Sequence, residues 1–114
     1  MDPVAITVGL SWTLSGLLII VLAIPLIRQK VGRNALYGIR LPASFQSEQA
    51  WFAINRYGGR QLLGWAVPIV LVGIVCFFLP LRSHPGLALI VGLVPLVFIV
   101  VPVVQVTRFA RRYR

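Results

Sequence analysis

The sequence predicts an all-α membrane protein with three transmembrane helices and a short interfacial helix in the first cytoplasmic loop. Three observations carry that fold class. Of the 114 residues, 59% are hydrophobic and only 11% are charged, against roughly 45–50% and about 25% in soluble domains. The apolar residues concentrate in three uncharged runs, Val4–Ile27, Leu62–Leu81 and Leu87–Val106. Each reaches the ~20 residues that cross a ~30 Å hydrocarbon core as helix. All eleven Lys and Arg fall outside those runs. Helix is the expected form, because backbone groups in lipid must be paired within the segment and so short a chain cannot close a barrel.

The first run follows Met1-Asp2-Pro3, with no basic stretch ahead of it. It is too long for the apolar core of a signal peptide and no A-x-A site follows, so it reads as a retained anchor. Gly9, Ser11, Ser15 and Gly16 on it are small residues that permit close helix approach, within the bundle or against a partner.

The loop of residues 28–61 carries six cations, Arg28, Lys30, Arg33, Arg40, Arg56 and Arg60. It is too long for a plain connector. Ser47 is a candidate N-cap and Glu48 suits the first turn of a helix. The stretch Glu48–Tyr57 contains no Gly or Pro and predicts the interfacial helix, apolar through Trp51, Phe52, Ile54 and Tyr57. Gly58-Gly59 is expected to stop or bend it before the second span. Tyr57 and Trp65 fit an inner aromatic belt, and Phe77-Phe78 an outer one.

Only Arg82–Gly86 separate the second and third runs, so these two form an antiparallel hairpin. Five span prolines are present, Pro25, Pro68, Pro80, Pro95 and Pro102. Pro95 and Pro102, seven apart, share a helix face. They either open a kinked groove or are simply tolerated, as prolines are in membrane helices. The tail, 107–114, adds Arg108, Arg111, Arg112 and Arg114. Residues 1–114 thus read as one transmembrane domain.

Orientation follows from the cations. The N-terminal stub has none and the hairpin loop has Arg82 alone, while the first loop and the tail hold the other ten. Positive residues stay inside, which places the N-terminus outside and the C-terminus in the cytoplasm. The net charge of +9 is explained by topology, and a nucleic-acid partner is not expected. The inward basic belt is expected to meet membrane lipids through their anionic headgroups.

The loop carries two recognisable words. Gly32-Arg33-Asn34-Ala35-Leu36-Tyr37-Gly38-Ile39-Arg40-Leu41-Pro42 fits G-x-N-x-x-x-G-[IL]-R-[TL]-P. Ser47-Glu48-Gln49-Ala50-Trp51, then Asn55-Arg56-Tyr57-Gly58-Gly59-Arg60, fits S-x-x-x-W followed by [NH]-R-x-G-G-[RK]. The pair, set between two apolar spans from Gly32 to about Leu79, resembles the SdpI family of bacterial membrane proteins. That family is named for immunity to a secreted sporulation-delaying toxin. The resemblance implies a place in the bacterial cytoplasmic (inner) membrane and a role in immunity or signalling. Toxin-immunity members carry additional spans before this module, so the chain resembles a short form.

Chemistry has little to work with. His84 falls in the short outer loop, across the bilayer from Glu48, Cys76 is the one cysteine, no pair of carboxylates exists for acid–base work, and no His/Cys/Asp cluster can hold a metal. No catalytic residue, metal or cofactor is expected. The spans contain no ionisable group of the kind proton-coupled carriers use. Candidate ligand- or partner-binding residues are Asn34, Arg40, Glu48, Trp51, Asn55, Arg56 and Arg60. Glu48, Phe52 and Asn55 fall on one helix face. Either Glu48, Asn55 and Arg40 shape a polar pocket, or Glu48 pairs with Arg40 or Arg56 and pins the loop. The function this supports is binding of a membrane-active peptide, a lipid or a partner. The alternative is an accessory subunit of a larger membrane complex such as a lipid or solute transporter. Three helices bury few of their own faces, so a homo-oligomer or a larger membrane protein complex is expected.

Overall fold

The computed structural model describes residues 2–113, and every regular element among those residues is helical. Three long helices follow one another: α1 (Pro3–Ile27), α2 (Glu48–Cys76) and α3 (Pro85–Ala110), with a 3₁₀ turn at Pro42–Phe45 and another at Arg111–Tyr113. All three are long and apolar enough to cross a membrane. The molecule measures 52 Å along its longest axis, enough for the ~40–45 Å of a bilayer with its headgroups. Large apolar side chains such as Leu14, Val21, Leu71, Leu89 and Val97 stand outward.

Helix α1 begins on Asp2, whose carboxylate accepts from the Val4 amide at 2.9 Å and the Ala5 amide at 3.3 Å. Pro3 follows at the first helical position, where its missing N–H costs nothing. The other end closes as a Schellman motif. The Lys30 amide donates to the Pro25 carbonyl at 2.9 Å and the Gln29 amide to the Leu26 carbonyl at 3.3 Å. Gln29 takes φ +59°, a left-handed conformation usually given to Gly. Pro25 sits in the last turns and leaves the helix unbroken.

Helix α2 is the centre of the fold. It packs along α1 on one side and α3 on the other, while α1 and α3 scarcely meet. Lipid tails are as apolar as Leu, so helices in a membrane are held by close packing rather than by the hydrophobic effect. Small residues supply it between α1 and α2. A Cβ on Gly73 would fall 2.4 Å from the Thr13 amide, and one on Gly9 2.9 Å from the Gly73 carbonyl. Gly16 is filled by Val70 in the same way. Of the small residues expected to pack on α1, the glycines make the contact. Ser11 is exposed and returns its hydroxyl to the Thr7 carbonyl at 2.7 Å.

The expected interfacial helix is not a separate element. Helix α2 runs without interruption from Glu48 through Gly58-Gly59 to Cys76. Both glycines keep ordinary helical φ; among the described glycines only Gly38 has a positive φ. They serve close approach instead. A Cβ on Gly58 would meet Ile39 at 2.0 Å and Val106 of α3 at 2.9 Å. One on Gly59 would meet the Ala23 carbonyl of α1 at 3.1 Å. The ~1 kcal/mol that each Gly costs a helix is offset by the packing it admits.

The second span also ends earlier than the apolar run. Helix α2 stops at Cys76, and tight bonds from Phe77, Phe78 and Leu79 to the third residue back complete the turn. Pro80 has no N–H to continue it and disfavours helix at Leu79. The connection to α3 is therefore Phe77–His84. Helix α3 opens on Pro85 and passes through Pro95 and Pro102, both fully buried, without breaking.

Two clusters hold the ends. At the hairpin end Ala5, Cys76 and Leu81 are buried with Val8, Leu87 and Val91 around them. At the opposite, basic end Ala43, Ile54, Val106 and Ala110 are buried beneath Ile39, Leu41, Tyr57 and Phe109. Trp65, expected in an interfacial belt, stacks on Phe98 halfway along α3, with centroids 5.8 Å apart.

Candidate functional site

Residues 28–47 contain little regular structure, yet they are tied down at nearly every step. Asn34 folds the segment on itself. Its Oδ1 accepts from the Leu36 and Tyr37 amides at 2.9 and 2.6 Å, and its Nδ2 donates to the Gly32 and Tyr37 carbonyls, both at 2.8 Å. Four bonds use the full capacity of a carboxamide. Tyr37 then donates its hydroxyl to the Leu22 carbonyl of α1. The Arg40 guanidinium turns back to the Ala35 carbonyl.

Asn55 pins the loop to α2. It is 1% exposed. Its Oδ1 accepts from the Ile39 amide at 2.6 Å, while its Nδ2 donates to the Trp51 carbonyl at 2.9 Å and the Ile39 carbonyl at 3.4 Å. A buried backbone pair with no partner is costly, and this side chain satisfies both groups of Ile39. One turn earlier, the buried Trp51 indole donates to the Val31 carbonyl at 2.8 Å. Gly38 sits between these anchors at φ +113°, and a Cβ there would lie 2.9 Å from both Asn55 Oδ1 and the Trp51 ring. Only Gly meets both demands.

The loop ends in the Pro42–Phe45 turn, where buried Ser44 accepts from the Leu41 amide at 3.2 Å. Ser47 caps α2 as expected, accepting from the Ala50 amide at 3.0 Å. Glu48 stands exposed in the first turn of α2. It shares a helix face with Asn55, seven residues on, yet stays exposed at the start of the helix, and among the described residues no ion pair joins it to Arg40 or Arg56. The expected Glu48 clamp is made by carboxamides and an indole instead. Asn34, Trp51 and Asn55 work on one segment. Arg56 and Arg60 are exposed on another face of α2, beside Tyr57.

Held this way, the loop roofs two apolar hollows that share Ile39 and Leu62. One, about 250 Å³, lies against α1 and is bordered by Ile19, Leu22, Leu26 and Tyr37. The other, about 100 Å³, lies against α3 and is bordered by Leu41, Pro102 and Val106. Chemically these can accept apolar groups and little else. Among the described residues no three His, Cys, Asp or Glu come together as a metal site.

One anchor carries no motif. Asp2, besides capping α1, accepts from the Arg82 amide at 2.7 Å and so joins the start of the chain to the hairpin. That bond, with those from Ala5 and Val4, holds the Asp2 carboxyl below its usual pKa, against a smaller opposing effect of desolvation. The Asp-Pro pair signals the cap, but nothing local signals the hairpin contact.

A helical, multi-pass membrane protein with a pinned loop over lateral apolar hollows is the class these features define. The SdpI/YfhL protein family matches residues 30–105, and the chain belongs to that family. The match reaches beyond the two loop words through most of α3. No curated protein and no solved structure matches the chain. Membership suggests a membrane protein of the immunity type.

Proposed function

We propose that this is a non-enzymatic protein of the bacterial inner membrane that recognises a membrane-active peptide beneath its pinned loop, in immunity or signalling. The observation that carries the reading is the loop itself. Asn34, Trp51 and Asn55 hold it rigidly over an apolar hollow open beside Leu62. A mere connector has no need of buried carboxamide anchors. The excess of Lys and Arg at this end supports placing it in the cytoplasm, with the N-terminus outside. An amphipathic peptide that reaches this level of the bilayer presents an apolar face, which the hollow suits as helix-in-groove recognition does.

The test is survival of toxin-sensitive cells that express the chain and are challenged with the sporulation-delaying toxin. Wild-type protein is expected to raise survival at least tenfold. Leu62→Trp, which crowds the hollows that Leu62 borders, and Asn55→Ala, which frees the loop, are expected to remove protection at unchanged membrane abundance. Survival equal to cells without the protein, or full protection by Leu62→Trp, would overturn the reading.

A further inference from the structure

The seam between α2 and α3 carries a second set of features, on a different face of α2 from the pinned loop. Tyr57, Gln61 and Trp65 follow at four-residue steps on α2. Tyr57 stacks on Phe109 with centroids 4.2 Å apart and planes 6° from parallel, and Trp65 stacks on Phe98. Hollows of about 610 and 370 Å³ adjoin the Tyr57–Phe109 stack. Arg56, Arg60 and Gln61 border the first, and Gln105, Arg108 and Arg112 border the second. Among the described residues, neither is bordered by an acid. Gln105 Oε1 is buried with no hydrogen-bond partner among the described residues.

Arg56 with Arg60, and Arg108 with Arg112, are like charges one turn apart, an arrangement that repels. Setting topology requires cations at this end but not two such pairs around one aromatic stack. Along the seam the chemistry runs from guanidinium to carboxamide to aromatic hydrocarbon. Tyr57 to Trp65 spans about 12 Å of helix, the depth from the headgroup layer into the acyl region.

We propose that this seam binds one anionic phospholipid. The phosphate lies between the arginine pairs, which suit it by their planar, forked donors. The glycerol-ester level meets Gln61 and Gln105, and an acyl chain lies along Trp65 and Phe98. The polarity gradient of the seam is that of the lipid, and the guanidinium charge complements its phosphate. This site is independent of the peptide reading, because it uses none of the residues that pin the loop.

The experiment is native mass spectrometry of the full chain in mild detergent with equimolar phosphatidylglycerol and phosphatidylcholine. One phosphatidylglycerol per chain is expected to be retained. Arg56→Gln with Arg108→Gln is expected to weaken retention at least tenfold. Lys30→Gln with Arg33→Gln, which removes the same charge from the same end, is expected to leave it unchanged. All four side chains are exposed, so circular dichroism is expected to be the same for both variants. Phosphatidylglycerol with brominated chains is expected to quench tryptophan fluorescence more than brominated phosphatidylcholine does, and Trp65→Phe to abolish that difference. Equal loss in the two double variants would reduce the effect to bulk charge and overturn the proposal. Equal retention of the two lipids, or displacement by excess inorganic phosphate, would overturn it as well.

Discussion

Asn55 and Gly38 show how much a few side chains must do where the backbone has no ladder of its own. Replacing Asn55 by Leu leaves the Ile39 amide and carbonyl without partners in a half-buried place. Each such group costs about 1–3 kcal/mol when fully buried, and these two are half-buried, so we expect a loss of roughly 2–4 kcal/mol. Unfolding in detergent monitored by circular dichroism measures it. Gly38→Ala meets both a disfavoured φ and a collision with Asn55 and Trp51. It is expected to cost about 1–3 kcal/mol, and to admit protease to the loop while the helices stay intact. Gln29 works in the other direction. At φ +59° a side chain is strained, and Gln29→Gly is expected to stabilise the protein by up to about 1 kcal/mol in the same unfolding measurement. Two asparagines of the loop words, Asn34 and Asn55, were legible as candidates, but not their partners. An Asn announces that it will bond backbone nearby; which backbone, sixteen residues away or three, depends on the path of the chain.

At the scale of the element, the three helices were legible because their signal is hydropathy summed over some twenty residues. The continuity of α2 was not. Gly58-Gly59 reads locally as a break, and the same dipeptide serves a close crossing. The choice is made by Ile39, Val106 and Ala23, none of them within fifteen residues in sequence. Gly58→Leu is therefore expected to push the loop and α3 away from α2 rather than to strengthen a helix. Disulfide trapping between cysteines placed at the α2–α3 contact measures this, and a trapping rate equal to that of the unsubstituted Gly58 protein would contradict it. Cys76 is already present and buried, so it must first be replaced by Ala.

For the whole molecule, Asp2 supplies a test with a definite sign. Its carboxyl has a folded pKa below the usual value of 3.8 because the charged form accepts three backbone amides, that of Arg82 above all. A lowered pKa contributes stability that is present above the unfolded value and lost as pH falls through the lower folded one. Wild type is thus expected to exceed Asp2→Ala in stability near neutral pH, and the difference to shrink as the pH falls below the ordinary value of 3.8 and through the lower folded one. A difference that is independent of pH would show that the charge is not what holds the clasp. The broad outward apolar faces of α1 and α3 bear on assembly. Pull-down of the tagged protein at native abundance, with mass spectrometry and native sizing, separates the outcomes. A larger membrane protein in fixed stoichiometry makes this chain an accessory subunit, and a small homo-oligomer favours recognition by the chain itself.

By itself the sequence determined that the chain is helical, that three of its segments are long and apolar enough to cross a membrane, and that its polar chemistry lies in one loop. These properties are sums over many residues, and no single contact can reverse them. Only the tertiary structure decided that Asn55 and Trp51, rather than Glu48, hold that loop, and that paired glycines join helices instead of ending one. It also decided that Tyr57 meets Phe109 and Asp2 reaches Arg82. The physical reason is one of range. A hydrogen bond or a close crossing is settled within about 3 Å, between residues that the sequence separates by as many as eighty.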